Sequence, residues 1–277
     1  MIPIRDALRS QRFPIVTVSL IVLNLLVFLY QGYLETRPTV LNDLRPWTDA
    51  GLSAPALDRR AYNAYVHSSG DPWRYPMGAG DAFVMQYGLV AAEFSSGRDL
   101  PPTIALPIWL TLITSMFLHA GLLHVLGNML YLWVFGDNVE DAMGSARFLI
   151  FYLLCGCAAG LAQLAPNSHA AVPLIGASGA IAGVLGAYFM LFPTSRILTI
   201  IPIFFFIRLI SIPAIVVLGI WFLLQVVNSA TSFGASSGVA WLAHIGGFAT
   251  GMALVVLFRK RGTPIGLLNL LRRRVSA

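Results

Sequence analysis

Long apolar runs separated by short polar segments dominate the chain. A membrane-spanning helix needs about 20 largely apolar residues, and by that measure the pattern predicts six spans. Their predicted limits are 13–31, 116–136, 147–165, 173–192, 209–228 and 239–258. The run 195–213, "SRILTIIPIFFFIRLISIP", contains Pro202, Arg208 and Pro213. It therefore predicts an interfacial or broken connection into the fifth span, or a re-entrant seventh element.

Composition supports an integral multi-pass membrane protein. Of the 277 residues, 57% are hydrophobic and only 11% are charged, and the mean hydropathy is +0.75, far above that of a soluble domain. The net charge of +6 does not predict a nucleic-acid partner, because the basic residues form no stripe with interleaved aromatic residues. Cys155 and Cys157 are the only cysteines, and we expect them to be small buried residues without a disulfide.

The basic residues lie mainly in the two tails and predict the orientation of the chain. Three arginines precede the first span, and the tail after Phe258 contains basic residues and no acid. The positive-inside rule therefore predicts that both termini are cytoplasmic, which agrees with an even number of spans. No small-residue cleavage site follows the first run, so we expect a retained anchor. The predicted layout is a cytoplasmic tail 1–12, a first span 13–31, an extracytoplasmic loop 32–105, a core of the remaining spans 106–258 and a cytoplasmic tail 259–277.

The predicted outer loop 32–105 is unusually long for a connection between spans. It is polar and rich in Pro and Gly, and a loop of this length either has a function or folds on its own. Within it, the segment 81–94, "DAFVMQYGLVAAEF", predicts a short amphipathic helix at the membrane surface.

Polar residues interrupt the second, fourth and sixth spans near their outer ends. Ser178 and His244 each lie on the order of 8 Å from the predicted start of their helices, at 1.5 Å of rise per residue. Polar residues inside a span usually face one another or a cavity, so this common depth predicts one water-accessible pocket. A serine that attacks a carbonyl needs a base within hydrogen-bond reach, and His244 is the candidate at the matching depth.

Two further polar residues in the second span predict an oxyanion hole. His124 and Asn128 are four residues apart and share one helical face, where they can hold a developing oxyanion together with the backbone N–H at Ser178. Asn128 can alternatively form a bridge between helices. No Asp or Glu follows Asp141, so only a Ser-His dyad is possible unless the outer loop supplies a carboxylate.

Glycines at intervals of about one helical turn predict close packing of the fourth span against the sixth. They are Gly179, Gly183 and Gly186 on the fourth span, and Gly247 and Gly251 on the sixth. Such seams of small residues let two helices approach closely, as a short serine side chain requires if it is to reach a histidine on another helix.

In this order and on these spans, "HAGLLHVLGNM", "GASGAIAG" and "AHIGGFATG" closely resemble the rhomboid family of intramembrane serine proteases. The resemblance covers roughly residues 106–258 and implies an all-α, six-transmembrane-helix rhomboid-like bundle. It implies a serine endopeptidase that cleaves membrane proteins in or near their transmembrane segments, without a metal or other cofactor. The implied roles are nucleophile for Ser178, general base for His244, oxyanion donors for His124 and Asn128, flanking positions for Gly176 and Gly179, and structural roles for His119, Glu140 and Gly144.

The chain departs from the family pattern in two places. Many members carry a Trp-Arg pair shortly before the position of His119, where this chain has Trp109 followed by leucine, and many have an aromatic residue at the position of Ala182. The resemblance implies single-span or polytopic membrane proteins as substrates, and we expect a bacterial plasma membrane as the location. The oligomeric state stays open.

Other functions compete with this interpretation. A catalytically silent rhomboid-like protein that binds membrane clients is the main alternative, although the chain retains both the serine and the histidine. A zinc protease is disfavoured because no H-E-x-x-H motif is present. A transporter is disfavoured because the polar residues stay near the outer ends of the spans.

Overall fold

The computed structural model describes residues 2–8, 10–52, 59–166, 168–203, 206–231 and 239–275. Arg9 of the predicted cytoplasmic tail and residues 53–58 of the predicted outer loop lie outside the described residues. The α-helices are α1 (Ile15–Glu35), α2 (Arg45–Asp49), α3 (Arg59–Ser69), α4 (Ala79–Tyr87), α5 (Ala91–Ser96), α6 (Thr111–Thr114), α7 (Leu122–Met143), α8 (Ser145–Leu164), α9 (Ser178–Leu191), α10 (Ala214–Thr231), α11 (Trp241–Phe258) and α12 (Gly266–Val275). The strands are β1 (Ile2–Asp6), β2 (Val40–Asp43), β3 (Arg74–Met77), β4 (Leu89–Val90), β5 (Pro173–Leu174), β6 (Arg196–Ile203) and β7 (Phe206–Pro213).

Among the described residues, four helices are long and apolar enough to cross a membrane: α1, α8, α10 and α11. Helix α7 does not qualify by itself, because polar residues such as His124 and Asn128 lower its hydropathy. Taken together with the helical segment Ile108–Phe117 before it, α7 gives a fifth candidate crossing. Helix α9 is apolar but has only 14 residues. The chain is thus a mostly helical membrane protein, and the count of six spans stays a prediction.

The structure is not purely α-helical, because residues 196–203 and 206–213 form two paired β-strands. Strands β6 and β7 pair antiparallel from Arg196 opposite Pro213 to Ile203 opposite Phe206, and β1 pairs with the other edge of β6. The predicted interfacial or re-entrant connection is therefore extended, and its placement in the membrane stays a prediction. The physical reason is the density of isoleucine, whose β-branched side chain favours extended backbone.

Contacts divide the chain into two compact units. The helical unit consists of Met1–Leu23, Gly121–Gln163 and Ala177–Ala277. Helix α9 lies at its centre, with every residue from Gly179 to Tyr188 buried, as expected for a helix that is apolar on all sides. It packs most extensively against α11 and also contacts α7, α10 and α12.

Glu140, near the end of α7, fixes the start of α1 within the helical unit. Its carboxylate accepts hydrogen bonds from the backbone N–H groups of Val16 (3.0 Å) and Thr17 (2.8 Å), and from the hydroxyls of Thr17 (2.8 Å) and Ser145 (2.6 Å). An anionic acceptor suits the first turn of a helix, whose N–H groups have no partner inside the helix. After α7, Gly144 takes a left-handed φ of 86°, so a glycine suits this turn into α8.

The loop unit consists of Asn24–Ala120 and Leu164–Gly176, and it has a hydrophobic core of its own. Trp47 is fully buried in this core, and its indole N–H donates to the carbonyl oxygen of Pro101 at 2.9 Å. The segment 81–94 forms α4 and α5 rather than the single helix predicted. Gly88 ends the first helix in an extended conformation, and the next residues pair as β4 with β5.

Candidate active site

Ser178 is the first residue of α9, not a residue one or two turns inside a helix as predicted. Pro173 lies in the short strand β5, and Gly176 takes a φ of 120°, a conformation that favours glycine. These residues keep the chain non-helical until Ala177. The hydroxyl of Ser178 therefore lies at a helix N-terminus, where the first backbone N–H groups have no acceptor inside the helix.

His244 reaches Ser178 from the first turn of α11. Its Nε2 lies 2.8 Å from the Ser178 Oγ, although the two residues are 66 positions apart in the chain. That distance lies within the range of a strong hydrogen bond. The structure therefore brings the predicted nucleophile and the predicted base together.

Gln225 on α10 is a member of this site that the sequence reasoning missed. Its Oε1 lies 2.9 Å from the Nδ1 of His244, and the residue is only 6% exposed. An available signal was the lone glutamine in the apolar run "IWFLLQVV", since a polar side chain inside a span usually has a specific partner. The imidazole thus has a hydrogen-bond partner at each ring nitrogen.

Aromatic rings from α10 and α11 contact the imidazole of His244. The ring centroids of Trp221 and Trp241 lie 5.9 Å and 6.2 Å from that of His244. Ala182, the position at which many family members have an aromatic residue, is fully buried beside α11. The aromatic contact to the histidine therefore comes from the neighbouring helix and from α11 itself.

His124 and Asn128 lie one turn apart on α7, which packs against α9. Asn128 is 8% exposed, and its side-chain N–H₂ has no hydrogen-bond partner among the described residues. Such a buried unpaired donor is costly unless a ligand or water satisfies it.

Glycines allow α9 and α11 to touch backbone to backbone. A Cβ added at Gly247 would overlap the carbonyl oxygen of Gly179, and one added at Gly251 would overlap that of Gly183. At Gly186 an added Cβ would overlap the carbonyl oxygen of Phe248. The predicted glycine seam is therefore the contact surface that holds the two helices of Ser178 and His244 together.

His119 belongs to the loop unit and is 2% exposed. The side-chain amide of Gln31 forms two hydrogen bonds with the backbone of His119. The Gln31 Oε1 accepts from the His119 N–H at 3.1 Å, and the Gln31 Nε2 donates to the His119 carbonyl oxygen at 3.2 Å. Both side-chain atoms of one amide thus fix the segment just before α7, in keeping with the structural role that the resemblance implies. Among the described residues, no group of three or more His, Cys, Asp or Glu side chains is arranged to hold a metal ion.

The model of the family described as "Rhomboid domain" matches residues 107–261, which is more than half of the chain. The chain belongs to the rhomboid family. The matched region contains Ser178, His244, His124, Asn128 and Gln225.

Relatives of this rhomboid come from a bacterium, a yeast and a plant. It is 34% identical over 143 residues to "Rhomboid protease GluP" of Bacillus subtilis (52% of this chain, 25% of that protein). It is 33% identical over 120 residues to "Rhomboid protein 1, mitochondrial" of Saccharomyces cerevisiae (42% of this chain, 32% of that protein). It is 32% identical over 153 residues to "RHOMBOID-like protein 1" of Arabidopsis thaliana (54% of this chain, 34% of that protein). The chain thus spans about a quarter to a third of the length of these relatives, and a bacterial source stays a prediction.

Proposed function

We propose that this rhomboid is an intramembrane serine endopeptidase that hydrolyses a peptide bond in or near the transmembrane segment of another membrane protein. One observation carries the proposal: the Ser178 Oγ lies 2.8 Å from the Nε2 of His244. A nucleophile and a base within hydrogen-bond distance, at a helix N-terminus, form the arrangement that acyl transfer requires.

The reaction proceeds through an acyl-enzyme. The Nε2 of His244 takes the proton of Ser178 as the Oγ attacks the scissile carbonyl, and the resulting imidazolium then protonates the leaving amine. Water, activated by the same imidazole, releases the acyl group. No metal or nucleotide takes part in these steps.

Three kinds of donor stabilise the oxyanion. The first backbone N–H groups of α9 have no acceptor inside the helix and can donate to the developing charge, which the positive end of the helix dipole also favours. The unpaired side-chain N–H₂ of Asn128 and the imidazole of His124 complete the hole. A substrate oxyanion would satisfy the buried amide of Asn128.

The length of α9 supports a catalytic serine below the membrane surface. Its 14 residues extend about 21 Å at 1.5 Å per residue, which is less than the roughly 30 Å of the hydrocarbon core. If α9 is the fourth of six spans and ends at the inner face, Ser178 lies about 9 Å below the outer edge of that core. Non-helical backbone at this depth, as at 173–177, is tolerated where it lines a water-filled cavity.

The remaining features of the proposal follow from charge and from helix chemistry. We propose that both basic tails are cytoplasmic, in the plasma membrane of a bacterium. The substrates are single-span or polytopic membrane proteins, and their helix must unwind before a peptide bond becomes accessible. Gly or Pro near the outer end of the substrate helix assists this unwinding.

Labelling with a fluorophosphonate tests the proposal directly. The detergent-solubilised full chain is incubated with the probe, and the labelled residue is identified by mass spectrometry. Ser178→Ala and His244→Ala should abolish labelling, whereas Ser19→Ala, which removes an exposed hydroxyl on α1, should not change it. Asn128→Ala should slow cleavage of a tagged single-span substrate by about 10²- to 10³-fold, the usual effect of losing one oxyanion donor.

A catalytically silent rhomboid would give a different result. The proposal fails if the wild-type chain does not label, or if Ser178→Ala labels at the wild-type rate. Retention of substrates without cleavage products, in co-expression with a panel of tagged single-span proteins, would identify the silent alternative.

A further inference from the structure

The amide of Gln225 is buried in α10 and in contact with His244. We propose that Gln225 is a positioning residue that holds His244 in the tautomer able to accept the proton of Ser178. The inference rests on the proposed function of Ser178 and His244, and it extends the Ser-His pair by a third, uncharged member on a different helix.

The orientation of the Gln225 amide follows from its second hydrogen bond. The Nε2 of Gln225 donates to the backbone carbonyl of Trp221 at 3.0 Å. A carbonyl oxygen can only accept, so the nitrogen end of the amide must face Trp221. The oxygen end therefore faces the imidazole of His244, at 2.9 Å from Nδ1.

The orientation of the amide in turn determines the tautomer of His244. The Oε1 of Gln225 can only accept a hydrogen bond, so the imidazole must carry its proton on Nδ1. A neutral imidazole has one N–H, and Nε2 is left with a lone pair directed at the Ser178 Oγ, 2.8 Å away. The opposite tautomer would direct an N–H at the serine and could not take its proton.

An uncharged third member suits the environment of α10. In soluble serine hydrolases a buried aspartate orients the histidine, but a carboxylate inside a membrane is expensive to ionise. No acidic residue follows Asp141 in this chain. The carbonyl dipole of Gln225 orients the ring and stabilises the imidazolium that forms during attack, without a full negative charge.

Helix α10 thus holds His244 through two neighbouring residues. Trp221 provides the carbonyl that orients the Gln225 amide, and its ring lies 5.9 Å from the imidazole. The two contacts fix both the plane and the proton of the imidazole. They hold the imidazole of His244 in a chain that has Ala182 where many family members have an aromatic residue.

Two substitutions separate a positioning role from a structural one. Gln225→Met keeps the length of the side chain and removes the acceptor, whereas a protonated Gln225→Glu keeps an oxygen facing Nδ1 and an O–H donor facing the Trp221 carbonyl. Gln163→Met is the matched control, because the Oε1 of Gln163 accepts from the backbone N–H of Ala243 at 3.1 Å rather than from the imidazole of His244. The rate of fluorophosphonate labelling at Ser178 is measured in the full chain, and thermal unfolding of each variant is recorded.

Gln225→Met should label about 10- to 100-fold more slowly than wild type, the usual effect of losing a hydrogen bond to a group that becomes charged. Gln225→Glu should restore most of the rate, and Gln163→Met should label like wild type. The ¹⁵N resonances of His244, assigned by comparison with His244→Ala, should show the Nδ1–H tautomer in wild type and its loss in Gln225→Met.

Several outcomes would overturn the inference. Labelling of Gln225→Met at the wild-type rate would do so, as would an Nε2–H tautomer in wild type or an equal loss in Gln225→Met and Gln163→Met. If the wild-type chain does not label at all, the proposed function fails, while the ¹⁵N measurement still tests the role of Gln225.

Discussion

The separation of α9 and α11 sets the distance between Ser178 and His244. Gly251→Ala should increase this separation at a contact with Gly183, which lies more than one helical turn from Ser178. A Cβ at position 251 would lie 2.6 Å from the carbonyl carbon and 2.7 Å from the Cα of Gly183, against 3.4 Å or more for ordinary contact. These are backbone atoms of a buried helix, so side chains cannot relieve the overlap. Relief requires α11 to move by at least about 0.8 Å, because the carbonyl oxygen of Gly183 lies closer still to the added Cβ.

That movement is large compared with the tolerance of the site. If it is transmitted in full, the Oγ–Nε2 separation grows from 2.8 Å to about 3.6 Å or more, which is no longer a hydrogen bond. A displacement of this order reduces reaction rates by about 10²-fold. Overpacking should also lower the free energy of unfolding by about 1–3 kcal/mol.

The assay is the rate of fluorophosphonate labelling at Ser178, together with thermal unfolding in the same detergent. Gly219→Ala on α10 is the matched control, because an added Cβ there meets nothing within 4 Å. Labelling of Gly251→Ala at the wild-type rate would refute the reasoning that the glycine seam sets the geometry of the site. A comparable loss in Gly219→Ala would show that any added methyl group in the spans has the same effect.

Two further predictions concern buried carboxyl groups. Glu140→Gln would place an amide N–H₂ against backbone donors such as the Thr17 N–H, and it should lower the free energy of unfolding by about 1–3 kcal/mol. The control is Glu35→Gln, because Glu35 is exposed. Equal thermal midpoints for the two variants would contradict the prediction. Burial raises the pKa of Glu93 from its ordinary 4.5 to about 8. Between these two pH values Glu93 is protonated in the folded protein and ionised in the unfolded chain, so folding takes up a proton. The free energy of unfolding therefore falls as the pH rises from about 4.5 to 8. Glu93→Gln should flatten this fall in the free energy of unfolding, to which Glu93 contributes at most about 1.4 kcal/mol per pH unit. An unchanged pH dependence in a thermal unfolding series would exclude Glu93 as its cause.

Local sequence was sufficient for those features that depend on neighbours along the chain. Apolar runs of helical length predicted a membrane protein, because the bilayer demands such runs wherever the chain crosses it. The order of the polar motifs predicted the rhomboid family, which the family comparison confirmed. Glycines at intervals of about one turn predicted a close helix pair, and Gly247 and Gly251 do contact α9.

Features that depend on distant partners were decided only by the tertiary structure. Periodicity predicted a fourth span from residue 173, whereas strand pairing of β5 with β4 and the left-handed φ of Gly176 delay α9 until Ser178. The predicted interfacial or broken connection into the fifth span forms isoleucine-rich strands, and the pairing of β6 with β7 and β1 satisfies their backbone. Gln225 has no motif around it, and its role depends on an oxygen placed 2.9 Å from a ring on another helix. Hydropathy and spacing cannot predict such a contact, because it is determined by how two helices pack and not by the residues next to either one.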